Sequence, residues 1–156
     1  MTGCAPYTGT ECSCSELVQL AIQRGIWIEA DDHRPQPGDV VIYDWSDTGK
    51  GENKGSPDHA GIVTEIAGDK LSVREGNMSG GKFGNRTLDV DGRYIRGYIC
   101  PDYRAIAAAM TASSWAQQAA YECCHRGLII GDETGRVDWT RAITMEQLAV
   151  VLARGF

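Results

Sequence analysis

Pro35–Trp45, PQPGDVVIYDW, and Asp58–Ile66, DHAGIVTEI, are the stretches that decide how this chain folds. The segment Arg34–Asp39, RPQPGD, is rich in turn-forming residues and predicts a turn. The run after it, Val40–Trp45, is β-branched and aromatic and predicts a strand. The same composition predicts strands over His59–Ile66, Lys70–Glu75 and Tyr94–Cys100. Polar, glycine-rich loops are expected over Ser46–Asp58 and Gly76–Arg86. Successive strands joined by short connections imply an antiparallel sheet. Upstream, Leu17, Leu20 and Ala21 recur at helical spacing, so Ser15–Arg24 is expected to be helical and to stop at Gly25. Met1–Glu11 reads as coil.

Downstream the character changes. Residues 104–112 read as a linker with some helical tendency, and residues 113–156 as a separate small all-α module. Ser114 and Gln117 have capping-box spacing, as do Thr144 and Gln147. The first box is expected to open a helix that ends near Arg126 and Gly127. The second opens one that carries Met145, Leu148, Ala149 and Leu152 on one stripe. Two such helices enclose little core, so the module must lean on the first domain, a second copy or a ligand.

The chain has 156 residues and a net charge of −6, all of it carried by residues 1–103; residues 104–156 are neutral. That acidic balance argues against nucleic acid, whose phosphates call for Lys/Arg stripes. No apolar run approaches the roughly 18–20 residues that cross a bilayer, which argues against a membrane protein. The N-terminus shows no signal-peptide pattern, so synthesis in the cytoplasm and reduced thiols are expected for the six cysteines. Cys4, Cys12 and Cys14 lack the CxxC spacing of a zinc site, and no metal is expected there. Cys123, Cys124 and His125 read as small residues and a helix-end histidine. The oxygen-rich loop Asp44–Gly55 is a candidate for calcium, although its spacing does not match an EF-hand.

His59 begins one predicted strand, and Glu75 and Asn77 end the next with the same parity, so both should project from one face. A hairpin through Gly68 and Asp69 would bring His59 and Glu75 together. A histidine oriented by a carboxylate or amide is the base half of a Cys–His–Asn-type triad; an ordinary strand-start histidine would look the same in sequence.

Taken together, PQPGDVVIYDW, DHAGIVTEI, VREGN (73–77) and RYIRGY (93–98) resemble the CHAP branch of the NlpC-type papain-like peptidoglycan hydrolases, over roughly Glu11–Tyr103. The resemblance implies an α+β papain-like half-sandwich with an antiparallel sheet over residues 1–103. It further implies a phage-type endolysin, a cysteine amidase or endopeptidase acting on the bacterial cell wall. His59 would be its base, and Glu75 and Asn77 would orient that base.

The nucleophile implied by the resemblance is a cysteine at a helix start. Cys14, in CSELV, resembles it, and a helix N-terminus would lower the thiol pKa. Yet Cys14 precedes Gly38 by only 24 residues, and its helix looks more like the second helix of such domains. Two readings follow. Cys14 is the nucleophile, with Cys12 and Cys4 as outsiders, or the domain is an N-terminally shortened, non-catalytic wall-binding or assembly subunit that pairs with a second or fuller copy. Separately, Ser113–Arg154 is similar to one surface-layer-homology repeat. That similarity implies binding to peptidoglycan or a secondary wall polymer, with Trp115 and Trp139 as the wall-binding candidates.

Overall fold

A computed structural model describes residues 11–50 and 53–155. The chain divides between Pro101 and Asp102 into two units. The first is mixed α+β. Helix α1 (Cys14–Gln23) is followed by β1 (Trp27–Glu29), a 3-10 turn (Ala30–Asp32), β2 (Val40–Tyr43), β3 (His59–Ala67), β4 (Lys70–Met78), β5 (Lys82–Asp89) and β6 (Ile95–Ile99). The six strands form one antiparallel sheet in the order β1-β6-β2-β3-β4-β5. Among the described residues no helix is long and apolar enough to cross a membrane.

Helix α1 begins where Ser13 accepts a hydrogen bond from the Glu16 amide, and it is followed by Gly25 at φ 67°. That left-handed turn suits glycine, which has no Cβ to clash. The pleat then sorts the sheet into two faces. Val18 and Ala21 of α1 pack with Ile26, Ile42 and Ile99, and Val40 and Ala60 lie against them. Val41, Tyr43, Val63, Val73 and Tyr98 build the core of the opposite face. His59 stands opposite Tyr43 in the β2–β3 register, and Glu75 stands opposite Gly61. Both therefore share the Tyr43 face and not the face that α1 covers.

Two strands depart from expectation. The expected loop Gly76–Arg86 instead holds the end of β4 and the first five residues of β5, an edge strand whose side chains are exposed or half-buried. Trp27–Glu29 pairs with β6 as a three-residue edge. Neither carries enough alternating apolar residues to announce itself.

The second unit holds α2 (Tyr103–Ala109), a 3-10 turn (Ser114–Ala116), α3 (Gln117–His125) and α4 (Met145–Gly155). The expected linker 104–112 is instead mostly helix. Ala105, Ile106 and Ala109 are buried against Ala120 and Tyr121, and so is Ala112 beyond the helix end. The expected cap at Ser114 is not formed. Ser114 lies in the 3-10 turn, α3 has no side-chain cap, and the Gln117 amide donates to the carbonyls of Met110 and Ala112. The second capping box is present, with Thr144 and Gln147 exchanging reciprocal bonds of 3.0 and 3.1 Å. Met145 and Leu152 of its stripe remain exposed.

Candidate functional site

Four strands meet at Glu75. Its side chain is buried on the sheet, yet both oxygens are occupied. Oε1 accepts from the Tyr43 hydroxyl of β2 and from Arg86 Nε of β5, each at 2.8 Å. Oε2 lies 3.2 Å from Nε2 of His59 on β3. Burial alone would push this carboxyl up, but the bonds from Arg86 and Tyr43 outweigh it and hold Glu75 below the ordinary carboxylate range. Burial and the Glu75 carboxylate push the Tyr43 phenol up, so Tyr43 is a lasting donor.

A charged Glu75 accepts the proton on His59 Nε2. This fixes the neutral imidazole as the tautomer whose lone pair is on Nδ1. Among the described residues Nδ1 has no hydrogen-bond partner. The site therefore presents an oriented base whose free nitrogen faces away from its carboxylate. The rings around it are stacked: Tyr43 lies 4.6 Å from Trp45 and 5.8 Å from His59 between centroids. The Arg86 guanidinium sits over the Trp45 ring at 4.7 Å.

Gly61, two residues after His59, shows why this strand carries a small residue there. A Cβ at that position would stand 2.4 Å from Val73 Cγ1 and 2.9 Å from Glu75 Cγ. Any larger side chain would displace the carboxylate from the imidazole.

The other candidates fall elsewhere. Asn77 lies in a bulge between Glu75 and Met78, with φ 52°, and is exposed. The bulge breaks the parity count that would have set Asn77 beside Glu75, and Asn77 makes no hydrogen bond to His59 among the described residues. Cys14 is the first residue of α1, whose Val18 and Ala21 pack on the Ile42 face of the sheet, and among the described residues its sulfur makes no hydrogen bond to the imidazole. Burial, and then the Asp58 carboxylate, push its thiol up rather than down. Cys12 is exposed, and Cys4 lies outside the described residues. Trp115 is 89% exposed. Trp139 donates to the Ala108 carbonyl at 3.0 Å and packs on the buried cluster of its unit.

Sequence reading missed Tyr43, Trp45 and Arg86. Tyr43 had a signal, because it immediately precedes the loop before His59 and must pair with it once β2 and β3 form a hairpin. Arg86 had none, because its strand was hidden.

A second cluster lies at His33, Asp39 and Cys100, whose ligand-type atoms are within 4.8 Å of one another. Asp39 Oδ2 lies 2.7 Å from His33 Nε2 and accepts the Gln36 amide at 2.7 Å. In the loop considered for calcium, Asp44 Oδ1 accepts from the Ser46 amide and hydroxyl, and Asp47 accepts from the Gly49 amide. These oxygens are already used by the loop's own turns.

No protein-family model and no curated protein matches the chain. One solved structure, described as the crystal structure of Ly7917, is similar at a TM-score of 0.42 and 22% identity, covering 62% of this chain and 41% of that one. The chain thus spans less than half the length of that structure, and a likeness this slight carries no functional weight.

Proposed function

We propose that residues 11–103 form a papain-like, CHAP-type domain directed at peptidoglycan, in which His59, aligned by Glu75, is the base of a cysteine amidase or endopeptidase. The observation that carries this reading is the His59–Glu75 pair. A buried, fully bonded carboxylate holds one imidazole nitrogen and leaves the other free, as acyl transfer by a thiol requires. In such a step the free Nδ1 takes the thiol proton, the thiolate attacks the amide carbonyl, and the imidazolium returns the proton to the leaving amine. Water then releases the acyl group from sulfur. The candidate thiol in this scheme is Cys14, at the start of α1, the cysteine to which the resemblance points. The exposed Trp115 supports a wall-attachment role for residues 113–156.

A second reading makes the chain a wall-binding or assembly subunit that does not itself cut. It is favoured by the lack of any thiol bonded to His59 among the described residues. Solubilisation of purified cell walls separates the two. The enzyme reading expects release of soluble fragments that is lost in His59→Ala and in Cys14→Ala; release kept in Cys14→Ala would exclude Cys14 as the nucleophile. If the unaltered chain and His59→Ala both release nothing while both sediment with the walls, the binding reading replaces it.

A further inference from the structure

Among the described residues Arg86 is the one Lys or Arg bonded to Glu75, and only part of it is used there. Its Nε is spent on Glu75. Among the described residues neither terminal nitrogen, Nη1 or Nη2, has a hydrogen-bond partner. The guanidinium is held on two sides. Glu75 fixes its Nε edge and the Trp45 ring supports its flat face. A guanidinium so fixed presents its two Nη groups as a rigid end-on fork. That fork matches the two oxygens of a carboxylate, and its orientation is set before any ligand arrives. Trp45 stacks in turn on Tyr43, which stacks on His59, so the fork and the imidazole border the same aromatic surface.

We infer that Arg86 is the anchor of a carboxylate subsite: the ligand of this site is a peptide carrying a free carboxylate next to the bond that faces His59. The inference rests on the peptidoglycan reading for the kind of peptide involved, and it narrows that reading to stems whose carboxylate has not been amidated. It assigns Arg86 a double part. Nε keeps Glu75 ionised so that Glu75 can orient His59, and the Nη pair binds the substrate.

The test uses the full chain and two synthetic stem peptides of peptidoglycan. One has its carboxylates free, and in the other every carboxylate is capped as a carboxamide. Binding is followed by the NMR shift of the Trp45 indole N–H, in the unaltered chain, Arg86→Lys and Arg86→Gln. The expected result is a preference of roughly tenfold or more for the free peptide in the unaltered chain, the size of a charge-assisted bidentate contact. Arg86→Lys keeps the charge but loses the fork, and should show that preference largely erased. Arg86→Gln should show none. Equal affinity for the two peptides in the unaltered chain overturns the subsite, as does no binding of either peptide. A preference that persists undiminished in Arg86→Lys also overturns it. Should Arg86→Gln fail to fold, the comparison of peptides on the unaltered chain and on Arg86→Lys still decides. The wall-solubilisation assay is read separately. A carboxylate preference without solubilisation leaves the subsite standing and removes the catalytic reading; solubilisation without preference does the reverse.

Discussion

At His33 and at His59 similar residue types meet, and only one arrangement suits a base. His33 has both a carboxylate and a thiol in contact, with Asp39 at 2.7 Å and Cys100 Sγ at 3.3 Å, yet both approach the same nitrogen, Nε2. One nitrogen cannot donate to the carboxylate and accept from the thiol at once. Burial and Asp39 push the Cys100 thiol up to about 12, so it stays protonated. Among the described residues His59 has no thiol bonded to it, but its carboxylate takes Nε2 and leaves Nδ1 clear. The division of labour between the two ring nitrogens, and not the presence of a nearby cysteine, separates a base from a structural knot.

The sharpest way to break this comparison is to remove each imidazole in turn. His59→Ala should lower wall solubilisation by about 10²–10⁴-fold, the usual worth of a positioned base. His33→Ala, measured per folded molecule, should stay within about twofold of the unaltered chain. Equal losses would mean that the free nitrogen of His59 confers nothing.

The next test is stability. Glu75→Gln leaves Arg86 without its carboxylate and should cost about 2–3 kcal/mol in urea unfolding, less than a wholly buried pair because Arg86 is one-third exposed. Cys100→Ser keeps a donor near Asp39 and should cost about 1 kcal/mol or less. A similar loss from both would show that the two clusters serve stability alike.

Acid offers a smaller effect with a definite sign. Because Glu75 is held below its ordinary range in the folded chain, its contribution is fully present above the unfolded carboxylate value of about 4.3. It is lost as the pH falls through that value toward the folded one. Unfolding free energy against pH should therefore fall more steeply in acid for the unaltered chain than for Glu75→Gln. Parallel curves would contradict the depressed carboxyl.

The mildest test concerns the thiol beside His33. With Cys100 as the sole thiol, modification by a disulfide reagent near pH 8 should be far slower than with the exposed Cys12 alone, because burial and Asp39 keep the Cys100 thiol protonated. Comparable rates would show Cys100 to be more open and more acidic than its surroundings dictate.

Much of this was readable from residue order. The β2 and β3 stretches announced themselves through β-branched runs behind turn residues, and the turn at Gly68 announced the β3–β4 hairpin; the register shift between Val63 and Glu65, which sets Glu75 opposite Gly61 and so on the His59 face, did not. What stayed hidden had physical causes. Lys82–Asp89 pairs at the sheet edge, where few apolar side chains are needed, so no period of two marks it. Asn77 was misplaced because counting by twos assumes an unbroken pleat, and the bulge adds a residue. The linker was misread because short alanine-rich helices show little pattern until Tyr121 and Ala120 supply the surface they bury against. That Val18 and Ala21 of α1 pack on the Ile42 side while His59 shares the Tyr43 side follows from Ile42 and Tyr43 being neighbours in a strand, which becomes informative only once α1 is seen to choose the Ile42 side.

The strand order also says something about how the molecule comes together. β2 through β5 are an unbroken run of neighbours in chain and in space, so Tyr43, His59, Glu75 and Arg86 can meet by closing successive local hairpins. β6 must travel back across that run to lie between β1 and β2, and its contacts with them are the long-range ones of the sheet. Loop-closure entropy makes such non-local pairing the slower event. The base and its carboxylate would then assemble in an early, local phase of folding, while the insertion of β6, which completes the surface that α1 covers, sets the pace of the whole unit.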